Sequence, residues 1–133
     1  MSSGRFMLDT DTISFALRGE GRVGAKILSN DPSALCVSAI SVAELRFGAD
    51  HRGSSRLHAK IDTFIRNIEI VPFDDVCARH FGTIASALAR KGTPIGQLDV
   101  LIAATAIAAR ATLVTNNVKH FIRIRDLRVE NWY

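Results

Sequence analysis

Gly96-Gln-Leu-Asp99-Val100-Leu-Ile-Ala-Ala-Thr105-Ala-Ile-Ala-Ala-Arg110 runs directly into Ala111-Thr-Leu-Val-Thr115-Asn-Asn117. The first part, Gly96–Arg110, is Ala-rich and apolar nearly all round. A helix of that composition is stable when it is buried between a sheet and its neighbours. The second part carries a short continuous apolar run, Thr112–Thr115, the pattern of a strand buried on both faces. A covered helix feeding a buried strand implies a sheet with helices packed over it.

The rest of the chain repeats this alternation. Arg5–Leu8, Leu35–Ser38 and Ile68–Pro72 read as further buried strands, and Leu127–Glu130 as a possible edge. Between them, Asp11–Arg18, Arg22–Asn30, Val42–Asp50 and Arg56–Ile68 carry helical spacing. In the last of these, Leu57, Ile61, Phe64, Ile65 and Ile68 share one face. Asp75–Lys91 reads as a long helix opened by the cap residue Asp74, and Gly53-Ser-Ser55 as a turn. Strands alternating with helices predict a parallel sheet covered on both faces. With right-handed crossovers this gives an α/β fold, a three-layer α/β/α sandwich with a short, mainly parallel central sheet.

The chain has 133 residues, enough for one compact domain spanning 1–133. A domain of that size buries roughly 68% of its unfolded surface and needs no disulfide or metal to fold. The longest apolar stretch, Val100–Ala109, is half of the roughly 20 residues a membrane span requires. Met1-Ser-Ser-Gly-Arg5 opens on no long apolar run, so no export signal is expected. Cys36 and Cys77 form no CxxC or Cys/His cluster, which predicts two buried thiols and a cytoplasmic location. Seventeen basic against thirteen acidic residues give a net charge of +4, which favours polyanionic partners without demonstrating one.

In parallel sheets, sites form beyond the carboxyl ends of the strands. Asp9-Thr-Asp11 follows the first strand, Ser41-Val-Ala-Glu44 the second, and Thr115-Asn-Asn117 the fourth. Asp99 opens the apolar helix. Three carboxylates and an amide, separated by 35 and 55 residues from Asp9 to Glu44 to Asp99, are thus expected on one rim. Such a cluster repels itself unless a cation neutralises it. Oxygen-only donors select a hard cation, Mg²⁺ or Mn²⁺. Each residue also has an ordinary reading. Asp11 could cap the first helix, and Ser41-x-x-Glu44 fits a capping box. Asp99 could complement a helix dipole, and Asn116 and Asn117 could be turn residues. For the site to vanish, these readings would have to hold together at three separate strand ends.

The segments Phe6-Met-Leu-Asp9-Thr-Asp-Thr-Ile13, Val37-Ser-Ala-Ile-Ser-Val-Ala-Glu44-Leu-Arg-Phe-Gly48, Gln97-Leu-Asp99-Val-Leu-Ile-Ala-Ala104 and Leu113-Val-Thr-Asn-Asn-Val-Lys-His-Phe121 resemble those of PIN-domain ribonucleases. More closely they resemble the VapC toxins of bacterial type II toxin–antitoxin modules, from about Phe6 to Trp132. The resemblance implies a metal-dependent endoribonuclease that cuts structured RNA, with transfer RNA as a family-based guess, and is held inactive by a cognate VapB-type antitoxin. It matches Asp9, Glu44 and Asp99 to the acids that hold Mg²⁺ or Mn²⁺, and Thr115 to a hydroxyl supporting the first Asp. Asp11 takes an auxiliary place. Asn117 stands where many members carry a fourth acid; its amide can orient a ligand or a water but brings no charge. The reaction expected is in-line attack of water on the phosphodiester, leaving a 5′-phosphate and a 3′-hydroxyl.

No histidine pair with metal-ligand spacing occurs, so His51, His58, His80 and His120 are expected at the surface or facing RNA. Basic residues gather at Arg18, Arg22 and Lys26, and again at Lys119, His120, Arg123, Arg125 and Arg128. Lys119 and Arg123 follow Asn117 closely and are the favoured RNA contacts. Val42–Phe47 and Arg56–Ile68 have apolar faces that could form a groove between two helices, and the resemblance implies an amphipathic antitoxin segment in such a groove. It also implies a homodimer and a toxin–antitoxin hetero-oligomer, with no membrane partner. Two other readings remain at this point. One is a non-catalytic PIN-like binding module. The other is a phosphatase of the haloacid dehalogenase type, for which Asp9-Thr-Asp11-Thr is a loose match but no later Gly-Asp-x-x-x-Asp is present.

Overall fold

The computed structural model describes residues 4–133, so Met1–Ser3 of the amino-terminal stretch lie outside the described residues. Five strands form one sheet: β1 (Arg5–Leu8), β2 (Leu35–Ser38), β3 (Glu69–Val71), β4 (Ala111–Val114) and β5 (Val129–Glu130). Their order is β3-β2-β1-β4-β5, and each neighbouring pair is parallel. The helices are α1 (Thr10–Arg18), α2 (Val23–Leu28), α3 (Ala39–His51), α4 (Ser55–Ile65), α5 (Asp75–Arg90), α6 (Gln97–Ala108) and α7 (Val118–Phe121).

Side chains alternate across a strand, and here the alternation divides the core in two. Met7, Cys36 and Leu113 face α5 and α6, where they meet Ile84, Leu88, Val100 and Ala103. Leu8, Val37 and Val114 face the opposite layer, against Ile13, Leu45, Ile61 and Trp132. This is the three-layer α/β/α arrangement that the sequence predicts. Met7, Leu8, Leu113 and Val114 have no exposed surface, and full burial of such side chains is worth roughly 1.5–3 kcal/mol each. A one-residue slip would turn them out of their layers. Their burial thereby sets the register Leu8↔Val114 and places residues 9 and 115 side by side on the rim.

Several boundaries differ from the expected ones, each for a local reason. Helix α3 begins at Ala39, because the Ser38 hydroxyl at the end of β2 accepts from Ile40 N at 3.0 Å and caps it. The Ser41–Glu44 capping box therefore does not form. Ser41 lies inside the helix, fully buried, and its hydroxyl has no partner among the described residues. Ser54 caps α4 through Leu57 N, so the expected turn at Gly53–Ser55 is partly the start of a helix. Asp74 caps α5 as expected, its side chain accepting from Cys77 N. The second helix, expected over Arg22–Asn30, is confined to Val23–Leu28, and α7 is a single turn that the hydropathy pattern does not signal. Cys36 and Cys77 are free and buried, and burial pushes the Cys36 thiol up to about 11. No described helix is long and apolar enough to cross a membrane.

Candidate active site

Asp9 leaves the buried end of β1 and becomes the amino-terminal cap of α1. Its amide donates to Val114 O at 3.0 Å, and its carboxylate accepts from Thr12 N at 2.8 Å. The cap assigned above to Asp11 thus belongs to Asp9, and exposed Asp11 sits in the first turn. Thr12 ties the same corner to β4 by donating from its hydroxyl to Val114 O at 3.0 Å. Thr115, fully buried, contributes a side-chain hydrogen bond to Asp9 and accepts from Asn117 N at 2.9 Å. Asp9 is only 5% exposed. Burial is the main force on it and drives its pKa up to about 6; the bonds from Thr115 and Thr12 oppose this, and Asp11 adds a smaller upward push.

Glu44 projects from α3 and accepts a hydrogen bond from the Thr10 hydroxyl at the start of α1. Its pKa is raised by burial first, against the Thr10 bond, with further contributions from the charges of Asp99 and Asp11. Asp99 occupies the first turn of α6. Burial raises it and Asp11 raises it further, while His120 opposes both. The acids brought together by the fold therefore feel one another: Glu44 feels Asp99, and Asp11 acts on all three.

Among the described residues, no three His, Cys, Asp or Glu side chains close on one point as a ready-made ligand set. The described ion pairs likewise include none to Asp9, Glu44 or Asp99. Three half-buried or buried carboxylates thus share a rim with no ion pair to any of them among the described residues, and only Asp99 is partly offset, by His120. Their donors are all oxygen. That combination fits a hard divalent cation, which supplies the missing charge and completes its coordination with water.

The basic residues separate. Arg18 is paired with Glu20, and Lys26 lies 5.9 Å from the Trp132 ring centre. Lys119 is exposed on α7. Arg123 stands at a different opening, a cavity of about 290 Å³ with an apolar floor that includes Ile84, Ile107 and Ile124, rimmed also by Lys91 and Arg125. Three histidines have structural or peripheral settings. His58 lies between Asp50 and Arg46 and helps clasp α4 to α3. His51 stacks on Phe47, and His80 borders the Arg123 cavity. His120 is the exception, since its Nδ1 lies 2.8 Å from Asn117 Nδ2. Sequence reading missed Thr10, Thr12 and His120 as members of the site. The available signals were the threonines interleaved with Asp9 and Asp11, and the three-residue step from Asn117 to His120.

A groove opens from the same place. Thr10 and Glu44 form one end, Leu17, Leu57 and Ile61 line it, and Arg18 and Arg52 flank it. It continues past Arg56 and Lys60. The expected groove between α3 and α4 therefore has α1 as a third wall.

The PIN domain family pattern matches residues 6–127. The tRNA(fMet)-specific endonuclease VapC of Salmonella typhimurium is 36% identical over 129 residues, covering 96% of this chain and 98% of the relative. Ribonuclease VapC2 of Rickettsia felis is 36% identical over 131 residues, covering 96% and 97%. Among solved structures, DNA-bound VapBC from Salmonella typhimurium superposes with a TM-score of 0.91 at 36% identity, covering 98% of this chain and 100% of that one. VapBC2 from Rickettsia felis, bound to a promoter DNA fragment, gives 0.87 at 34% identity, with coverage of 96% and 98%.

Proposed function

Because the chain belongs to the PIN-domain family, we propose that residues 1–133 act as one nuclease domain, the toxin ribonuclease of a VapBC-type module. The observation that carries this reading is the acid rim. Asp9, Glu44 and Asp99 come from three separate elements, each is raised by burial, and none forms an ion pair among the described residues. Near-complete coverage of VapC relatives supports it.

Asp9, Glu44 and Asp99 would hold Mg²⁺ or Mn²⁺. When bound, the cation would make a water more acidic and offset charge on the scissile phosphate. Asp9 is the most constrained of the three: the Thr12 amide and the Thr115 hydroxyl fix its carboxylate. Thr10 restrains Glu44. Asn117 presents its side-chain amide beside the rim and orients a water or a phosphate oxygen without adding charge. Asp11 contributes negative potential from the exposed side. Lys119 would serve as a flanking phosphate contact and Arg123, at its separate opening, as a more distant one, with salt-sensitive binding as the consequence. The name of the Salmonella relative supports a transfer RNA substrate.

An antitoxin of the VapB type is the expected inhibitor, and the solved relatives in VapBC assemblies support that partner. The groove that begins at Thr10 and Glu44 is the surface it would occupy. An amphipathic segment would set apolar side chains on Leu17, Leu57 and Ile61, and acidic ones against Arg18 and Arg52. Homodimerisation accompanies this reading.

The test is cleavage of total bacterial RNA by antitoxin-free protein, with Mg²⁺, Mn²⁺ or EDTA, beside Asp99→Asn. A discrete product that requires the cation and Asp99 is expected. Cleavage that survives EDTA and Asp99→Asn would refute the assignment of the site. Absence of cleavage by folded protein in every condition would leave a binding module as the better account.

A further inference from the structure

We propose that His120 is a positioning residue, whose ring Nδ1 accepts a hydrogen bond from Asn117 Nδ2 and thereby holds the Asn117 carbonyl oxygen toward the acid rim. The inference rests on the nuclease reading above and concerns the same site.

Asn117 occupies the cap position of α7, where an asparagine side chain would ordinarily accept from a backbone amide of the first turn. It makes no such bond. Its amide goes instead to His120 Nδ1, at 2.8 Å, while its backbone N–H donates to Thr115 Oγ1 at 2.9 Å. The turn of α7 brings the two side chains together, with His120 N donating to Asn117 O at 3.2 Å. Thr115 in turn supports Asp9. A chain of contacts thus runs from Asp9 through Thr115 and Asn117 to His120.

The direction of the bond matters. An amide has one donor end and one acceptor end, so engaging Nδ2 leaves Oδ1 available to the site. A neutral ring accepting at Nδ1 carries its proton on Nε2. Without His120, the Asn117 amide is free to rotate and present either end. His120 would thus act on the reaction through Asn117 and need not touch RNA.

The experiment compares wild type with His120→Leu, His120→Asn, Asn117→Ala and the His120→Leu/Asn117→Ala double variant, using bulk bacterial tRNA with Mg²⁺. Leucine keeps the bulk and removes the acceptor. Asparagine places an oxygen near the position of Nδ1. His120→Leu should lower kcat roughly tenfold with KM little changed, the effect of losing one orienting hydrogen bond. His120→Asn should recover most of that loss, and in the Asn117→Ala background His120→Leu should cost nothing more. The side-chain amide signals of Asn117 in the metal-free protein, identified by their absence in Asn117→Ala, should shift in His120→Leu and return toward wild type in His120→Asn.

Additive losses, no rescue by His120→Asn, or unmoved Asn117 amide signals would overturn the positioning role. Asp99→Asn separates the two readings. If it abolishes cleavage while His120→Leu does not alter it, only the role of His120 falls. If Asp99→Asn cleaves normally, the nuclease site itself is misassigned, and the amide signals still decide whether His120 holds Asn117.

Discussion

Replacing Asp9 with Asn should make the metal-free protein more stable while destroying its activity. Asp9 is 5% exposed, and its pKa is raised from 3.8 to about 6, mainly by burial. A raised carboxylate pKa means that the native state favours the protonated form. The associated stability is fully present below pH 3.8 and is lost as the pH rises through 6. At pH 7.5 the wild type has lost it, at a cost of about 3 kcal/mol from the shift of roughly two pKa units. Asparagine is neutral at every pH and caps a helix as well as aspartate does, so the bond from Thr12 N can persist. Asp9→Asn should therefore exceed wild type by up to about 3 kcal/mol at pH 7.5, or roughly 10 °C in Tm for a domain of this size. Near pH 4 the gap should close. The assay is urea unfolding in EDTA at matched protein concentration, at pH 4, 6 and 7.5. Adding Mg²⁺ should then stabilise wild type and leave Asp9→Asn unmoved. A variant no more stable than wild type at pH 7.5, or a gap that does not change with pH, would refute the reasoning.

Ser41→Ala should raise stability by roughly 1 kcal/mol, since the buried hydroxyl has no partner among the described residues. A lower urea midpoint for the variant would show that the hydroxyl is satisfied in solution. Asp99→Asn should reduce cleavage by about 10²–10³-fold, with an unchanged circular dichroism spectrum and weaker Mg²⁺ binding by calorimetry. Arg123→Ala should lower RNA affinity and flatten the slope of log K against log salt by roughly 0.7–0.9, the share of one phosphate contact. An unchanged slope would remove Arg123 from the interface. Mg²⁺ binding should weaken as the pH falls through 6, where Asp9 of the metal-free protein takes up a proton, and calorimetric titration of the cation across that range checks it.

The strands are the most legible part of the molecule, because the longer ones are built on short continuous apolar runs such as Phe6–Leu8 and Leu35–Val37. Arg5–Leu8 and Leu35–Ser38 have the bounds expected. Helix starts were harder to place. Ser38 and Ser41 both have capping chemistry, and the Ser-x-x-Glu spacing favoured the second. What decides between them is that Ser38 ends a strand buried along its whole length, a tertiary fact that spacing does not carry. The spacing starts the first helix at Asp11 and so offers Asp11 as its cap, whereas a single residue, Asp9, joins β1 to α1 and caps it. Asp9 and Glu44 could be nominated from their positions after strands, and Asp99 from its place at the start of the buried helix. The bond from Asn117 to His120 could not, because it depends on α7, and one helical turn is too short to leave a periodic trace.

The placement of Asp9 also bears on how the protein is made. Asp9 is among the first residues synthesised, yet the carbonyl that holds it belongs to Val114, which follows 105 residues later. Strand β1 stays unpaired on that side until β4 arrives, and Thr115 and Asn117 arrive with it. Pairing over such a separation is late in folding by its closure entropy alone. A nascent chain on the ribosome thus carries its early acids in an unassembled state. A chain that ends before β4 lacks the β1–β4 ladder together with Thr115 and Asn117, so the corner around Asp9 forms only when nearly the whole chain is present.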